Sequence, residues 1–140
     1  MSEDLQVKVT FAHDTDLEAM VREFMEAGQQ VVGVLPGLRD VPLRRHLIED
    51  EVDELYRSLD DNDLVETADA LMDLLYVVVG ACIAFGLPIK PLFEEVHRSN
   101  MTKIVPDNEM VFGQHKKIGK PSTYSPPDLE SILGRIGGRD

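Results

Sequence analysis

The sequence predicts an all-α fold in a single domain, and three observations carry that expectation. Residues 64–85 run without a proline and are too long for a strand, despite the β-branched Val77 to Val79. Apolar residues recur at helical spacing on either side of that run. Turn-forming residues divide the chain at Pro36, Gly37 and Pro42, at "DDND" (60–63), and at Gly86 with Pro88. A chain of 140 residues fits one domain, 1–140, with a helical core at about 16–103 and a tail at about 104–140.

The elements follow in order. Residues 16–33 place Leu17, Met20, Val21, Phe24 and Met25 on one face, with Asp16 as N-cap. The next helix, 43–59, carries Leu47, Ile48, Val52, Leu55 and Leu59 on one stripe, with Arg44, Glu51, Glu54 and Ser58 on another. The third runs from Leu64 to Phe85 and stops at Gly86. A fourth begins near Pro88 and carries Leu92, Phe93, Val96 and Met101. In the tail, Ser125 as N-cap and Pro126 at the first helical position predict one short closing helix. The third helix is apolar almost all round, so it belongs at the centre of a bundle or at a subunit interface. Four helices in 15.7 kDa cannot easily surround it, which predicts a dimer or larger assembly.

Composition narrows the function. Apolar and charged contents of 43% and 29% are ordinary for a globular protein. A net charge of −12 argues against a nucleic-acid backbone or an anionic membrane as partner. The uncharged stretch from Leu74 to Leu87 is shorter than the roughly 18 to 20 residues of a membrane span. The N-terminus MSEDLQVKVT lacks the basic-then-apolar layout of a signal peptide, and a cytoplasmic location is expected. The single cysteine, Cys82, sits in the apolar run and reads as a buried structural thiol.

The residue that demands an explanation is Asp73, a carboxylate set between Met72 and Leu74. An unpaired buried carboxylate costs several kcal/mol, so it needs a partner, and a metal ion is a common one. At about 100° per residue, Glu66, Asp69 and Asp73 share a wedge some 60° wide. On the preceding helix Glu51 and Glu54 face one way at i and i+3, with Asp50 beside them. A short turn makes the two helices antiparallel neighbours, so the acidic faces can meet. Such a set suits a hard cation with oxygen ligands, such as Mg²⁺, with Mn²⁺ able to substitute. No histidine or cysteine has zinc-like spacing. Glu49 and Asp53 read as a solvated face.

Four segments together carry a family resemblance: "LRRHLIEDEVDEL" (43–55), "VETADALMDLLYVVVGACIAFGL" (65–87), "EVHRSNMTK" (95–103) and "GKPSTYSPPDL" (119–129). They resemble the all-α nucleoside triphosphate pyrophosphohydrolases, a superfamily of MazG proteins, dimeric dUTPases and phosphoribosyl-ATP pyrophosphohydrolase. The likeness is greatest to the small bacterial and phage MazG-like members. It implies a MazG-like four-helix bundle with a C-terminal extension, assembled as a homodimer or as a dimer of dimers. It also implies Mg²⁺-dependent hydrolysis of a (deoxy)nucleoside triphosphate, dUTP or a purine such as (d)GTP, between the α and β phosphates.

Glu51 and Glu54 match the first acidic pair of the ExxE…ExxD signature. The second pair can be aligned on Asp73, which puts Ala70 where a glutamate is usual, or on Glu66 and Asp69. All five acids are therefore candidate metal ligands. Asp50 or Glu51 is the candidate general base, and Arg44, Arg98, Asn100, Lys103, Lys120 and Tyr124 are candidates for holding substrate. Base selectivity is expected from residues near Phe24 to Pro36 and from the tail. Two other readings compete: phosphoribosyl-ATP pyrophosphohydrolase itself, and a non-catalytic helical oligomerisation module that holds metal.

Overall fold

The computed structural model describes residues 16–136; the N-terminal stretch read above for a signal peptide lies outside them. The described residues are all helical apart from turns, one isolated antiparallel bridge between Phe112 and Ile118, and two short 3₁₀ turns. The α-helices are α1 (Leu17–Ala27), α2 (Val41–Asp60), α3 (Leu64–Ala84), α4 (Ile89–Met101) and α5 (Leu129–Ile136).

Local chemistry sets most boundaries. Asp16 caps α1, accepting from the Ala19 N–H at 3.0 Å. The helix ends at Ala27, six residues before the expected Gly33, because Gln29 turns into the left-handed region (φ 59°). The Gln30 N–H then bonds back to the Met25 carbonyl at 2.8 Å, closing a Schellman-type end. Asp63 caps α3 through the Glu66 N–H at 3.1 Å. At the far end of α3, Gly86 is left-handed (φ 64°), and a Cβ there would lie 2.5 Å from the Leu35 carbonyl oxygen. That close approach fixes the loop after α1, as the Gly33 and Gly37 amides bond to the Ile83 and Phe85 carbonyls. The closing helix starts three residues later than the Ser125–Pro126 reading. Asp128 accepts from the Ser131 N–H instead, and Ser125 is tied to α4.

Packing is uneven. Helices α2 and α3 lie side by side along their length, and α1 crosses α3. Val21 and Met25 of α1 pack on Val79, Ile83 and Ala84 of α3, with Val32, Phe85 and Ile89 at the edge. Each such fully buried large side chain contributes about 1.5–3 kcal/mol. Helix α4 packs mainly on α5. Cys82 is free and half-buried, and burial pushes its thiol up, in keeping with a structural role.

At 21 residues, counting those N-terminal to the uncharged stretch, α3 is by length and composition long and apolar enough to cross a bilayer. Its Asp73 turns toward Glu51 and Glu54 of α2, the pattern of a packed helix rather than a lone span. Its other side is open. Leu64, Leu71, Leu75 and Val78 are 81%, 46%, 40% and 41% exposed, and at about 100° per residue they form one stripe roughly opposite Asp73.

Candidate metal centre and adjoining pocket

Three cross-helix contacts set the register of α2 against α3. Thr67 donates its hydroxyl to Ser58 Oγ at 3.1 Å near the turn. In the middle, Glu51 and Glu54 face Asp73. At the far end Arg44 meets Gly80, where a Cβ would lie 2.8 Å from Nη1. The two chains of contacts step in opposite directions, as antiparallel helices require.

One ligand oxygen each from Glu51, Glu54 and Asp73 lies within 4.8 Å of the others. The three are left to repel one another. Burial first, then the charges of Glu54, Asp73 and Asp50, push the Glu51 carboxyl above its ordinary range. Burial first, then Asp69 and Glu54, do the same to Asp73. Glu51 Oε2 is buried and has no hydrogen-bond partner. A divalent cation fits this donor set: three hard oxygens, an orphaned acceptor and a charge excess that one cation would relieve.

Glu66 and Asp69 are not in that group. They share the angular wedge of Asp73 but lie seven and four residues nearer the turn, about 10 and 6 Å along the axis. Asp69 still acts on Asp73 through its charge. Asp50 stands outside the triad, exposed, with its carboxylate 3.2 Å from His46 Nε2.

Beside the triad a pocket of about 280 Å³ opens between α1, α2 and α3. Glu51 and Asp73 form one wall, while Phe24, Gln30, Arg44 and Tyr76 line the remainder with apolar neighbours. The Phe24 and Tyr76 rings meet edge to face with centroids 5.6 Å apart. Arg44 is 3% exposed; its Nη2 donates to Gln30 Oε1 at 2.5 Å, and its Nε has no partner. Burial lowers the guanidinium's proton affinity while Asp40 opposes the shift. Gln30, Tyr76 and Gly80 were not singled out from the sequence. Gly80 alone carried a signal, a glycine inside an otherwise uninterrupted apolar helix.

The remaining candidates gather elsewhere, where α4 meets the tail. Arg98 donates to Glu95, to Ser125 Oγ at 3.1 Å and to the Pro126 carbonyl at 3.1 Å. Lys103 and Lys120 stand over the Tyr124 ring, 5.8 and 5.1 Å from its centroid. Ser99, buried beneath them, donates to the Ser125 carbonyl at 2.7 Å and lies 3.3 Å from the Tyr124 hydroxyl. Asn100 is exposed. None of Arg98, Asn100, Lys103, Lys120 and Tyr124 lines the pocket.

With that geometry in hand, two comparisons bear on the chain. The sequence profile of the phosphoribosyl-ATP pyrophosphohydrolase family matches residues 34–100, the segment holding α2, α3 and nearly all of α4. An uncharacterised protein of Acanthamoeba polyphaga mimivirus is 31% identical over 97 residues, 69% of this chain. The match covers only 36% of that viral protein's own length.

Proposed function

We propose, from the match of residues 34–100 to the phosphoribosyl-ATP pyrophosphohydrolase family profile, that this chain is a Mg²⁺-dependent nucleoside triphosphate pyrophosphohydrolase. The substrate is a (deoxy)nucleoside triphosphate, dUTP or a purine such as (d)GTP, and the products are the monophosphate and pyrophosphate. The observation that carries the reading is the Glu51–Glu54–Asp73 triad, mutually repelling and opening onto a pocket.

A bound divalent cation would supply charge neutralisation at the phosphate oxygens and a more acidic water. The protein's own groups do the rest. Water attacks the α-phosphorus, its proton passes to a carboxylate, and the bond from that phosphorus to the α–β bridging oxygen breaks as pyrophosphate leaves. Glu51 lines the pocket within the triad, whereas Asp50 turns toward His46, which favours Glu51 of the two candidate bases. Arg98, Lys103 and Lys120, with Asn100 and Tyr124, suit a polyphosphate and its sugar. Because they lie on the α4–tail unit, the reading includes self-association that brings this unit of a second copy toward the carboxylates. The open stripe on α3 is the surface that such a copy would cover.

A second reading is favoured by the matched profile itself: hydrolysis of phosphoribosyl-ATP, which needs the same bond cleavage. A panel of triphosphates and phosphoribosyl-ATP with Mg²⁺ or Mn²⁺, resolved by ion exchange, decides between them. Monophosphate and pyrophosphate from a nucleoside triphosphate, abolished in Asp73→Asn and Glu54→Gln, is the expected result. Turnover of phosphoribosyl-ATP alone would establish the second reading, and no turnover by folded, metal-loaded protein would leave a binding module.

A further inference from the structure

The end of the pocket farthest from the carboxylates is built from donors. Arg44 has an unpartnered Nε while almost wholly buried, and a buried donor without an acceptor costs more than the bond itself would contribute. Its position is held open on purpose of shape: Gly80 lacks the Cβ that would press on Nη1. Gln30 Oε1 accepts from Arg44, which turns the amide oxygen to the guanidinium and leaves the N–H₂ group as the donor end of that amide. Among the described residues that line the pocket, the carboxylates are Glu51 and Asp73 and the hydroxyl is the Tyr76 phenol. Arg44 precedes Glu51 by seven residues, two helical turns or about 10 Å, a span comparable to that from a nucleotide's phosphates to the far edge of its base. Phe24 and Tyr76 supply apolar ring surface between the two ends.

We infer that Arg44 and Gln30 form a base-reading edge that selects nucleobases presenting a ring carbonyl, the 6-oxopurines and 4-oxopyrimidines, over those presenting an amino group. The inference rests on the nucleotide reading of the site and adds its specificity. Guanine offers O6 and N7 as adjacent acceptors, a pair that a guanidinium matches well, and uracil offers O4. Adenine and cytosine would turn an amino N–H toward donors and leave both sides unsatisfied, the arrangement by which polar sites reject close analogues.

The test is equilibrium binding of dGMP, dUMP, dAMP and dCMP to the full chain with Mg²⁺, in wild type, Gln30→Glu and Gln30→Met. Wild type should bind dGMP and dUMP at least about tenfold tighter than dAMP and dCMP. Gln30→Glu replaces the amide donor with an acceptor that can still pair with Arg44, so the ratio should fall toward one or reverse. Gln30→Met, which cannot donate, should lower the ratio with the fold intact by circular dichroism. Equal binding of all four, an amino-base preference, no monophosphate binding, or a ratio unmoved in both variants would overturn the inference. Release of pyrophosphate is followed alongside. Selective binding without turnover of any triphosphate sinks the hydrolase reading and leaves the base-reading edge standing, whereas turnover indifferent to the base does the reverse.

Discussion

The two charged regions of this chain are arranged on opposite terms. Around α4 and the tail the candidate substrate-holding cations have partners: Arg98 bridges Glu95 and two tail acceptors, and Lys103 and Lys120 share the Tyr124 ring. Between α2 and α3 like charges are brought together, and an acceptor on Glu51 and a donor on Arg44 are buried without partners. A folded chain keeps unsatisfied groups of that kind at a stability cost, and such costs concentrate where a ligand will meet them. The self-satisfied polar groups hold the tail to α4. The unsatisfied ones mark where the proposed metal and base would bind.

The largest effect that would break this contrast is at Asp73. Asp73→Asn should lower turnover at least about 100-fold while raising the melting temperature of the metal-free protein, because one of three repelling charges is gone. The two regions should also answer pH with opposite signs. Glu51 and Asp73 are pushed up in the folded state, so native protein holds more protons than unfolded between the ordinary and the raised values. Metal-free stability therefore falls as pH rises through that window, and Mg²⁺ should flatten the fall. Glu95 is pulled down, first by its bond to Arg98. Its contribution is present above its unfolded value and is lost as pH falls through the lower folded one. Urea midpoints against pH, with and without Mg²⁺, together with hydrogen exchange of the tail, separate the two. A metal-free midpoint that rises with pH across the acid window would mean the triad is not strained.

Next in size is the assembly. Leu71→Glu places a charge on the open stripe of α3, on the side away from the triad. Light scattering should show a smaller particle, with turnover falling as the α4–tail unit of the second copy is lost. A wild-type chain that is already monomeric and fully active would confine the site to one chain and leave the tail's cations as architecture alone.

How much of this could be read from the sequence divides along the same line. Helix spacing placed α2 and α3 within two residues, and the apolar flanks of Asp73 identified the acid that belongs to the triad. Periodicity reports angle around a helix and says nothing of height along the partner, so Glu66 and Asp69 stood beside Asp73 as candidate ligands until the register was known. The end of α1 was missed because Gly28 and Gln29 look like tolerable helix residues, and the left-handed turn at Gln29 is set by the loop's bonds to the end of α3. The sequence marks Arg44 as a substrate-holding candidate and puts Gln30 in the stretch expected to set base selectivity, but their pairing was not legible. They lie on different elements, and their partnership exists only after that early stop. Arg98 and Lys103 were legible as cations but not as partners of the tail, since their contacts with Ser125, Pro126 and Tyr124 span more than twenty residues.

Smaller again is Gly80→Ala. Alanine favours a helix interior by about 0.5–1 kcal/mol, but its Cβ would come 2.8 Å from Arg44 Nη1. The guanidinium must shift, so melting temperature should change little while the Michaelis constant rises several-fold and base preference weakens. An unchanged preference would mean that Arg44 has room to spare.

The smallest effect should be at Ser99, on the self-satisfied side. Ser99 is 1% exposed and its hydroxyl ties α4 to the tail through Ser125 and Tyr124. Ser99→Ala removes the donor and leaves the Ser125 carbonyl without it, at a cost of about 1 kcal/mol. If this region is architecture, the loss should appear as faster proteolysis and amide exchange around residues 121–130, with Mg²⁺ affinity at the triad unchanged. Should Mg²⁺ affinity fall with it, the tail and the triad are coupled in the assembled protein, and the division between a region that satisfies itself and one that awaits a ligand would no longer hold.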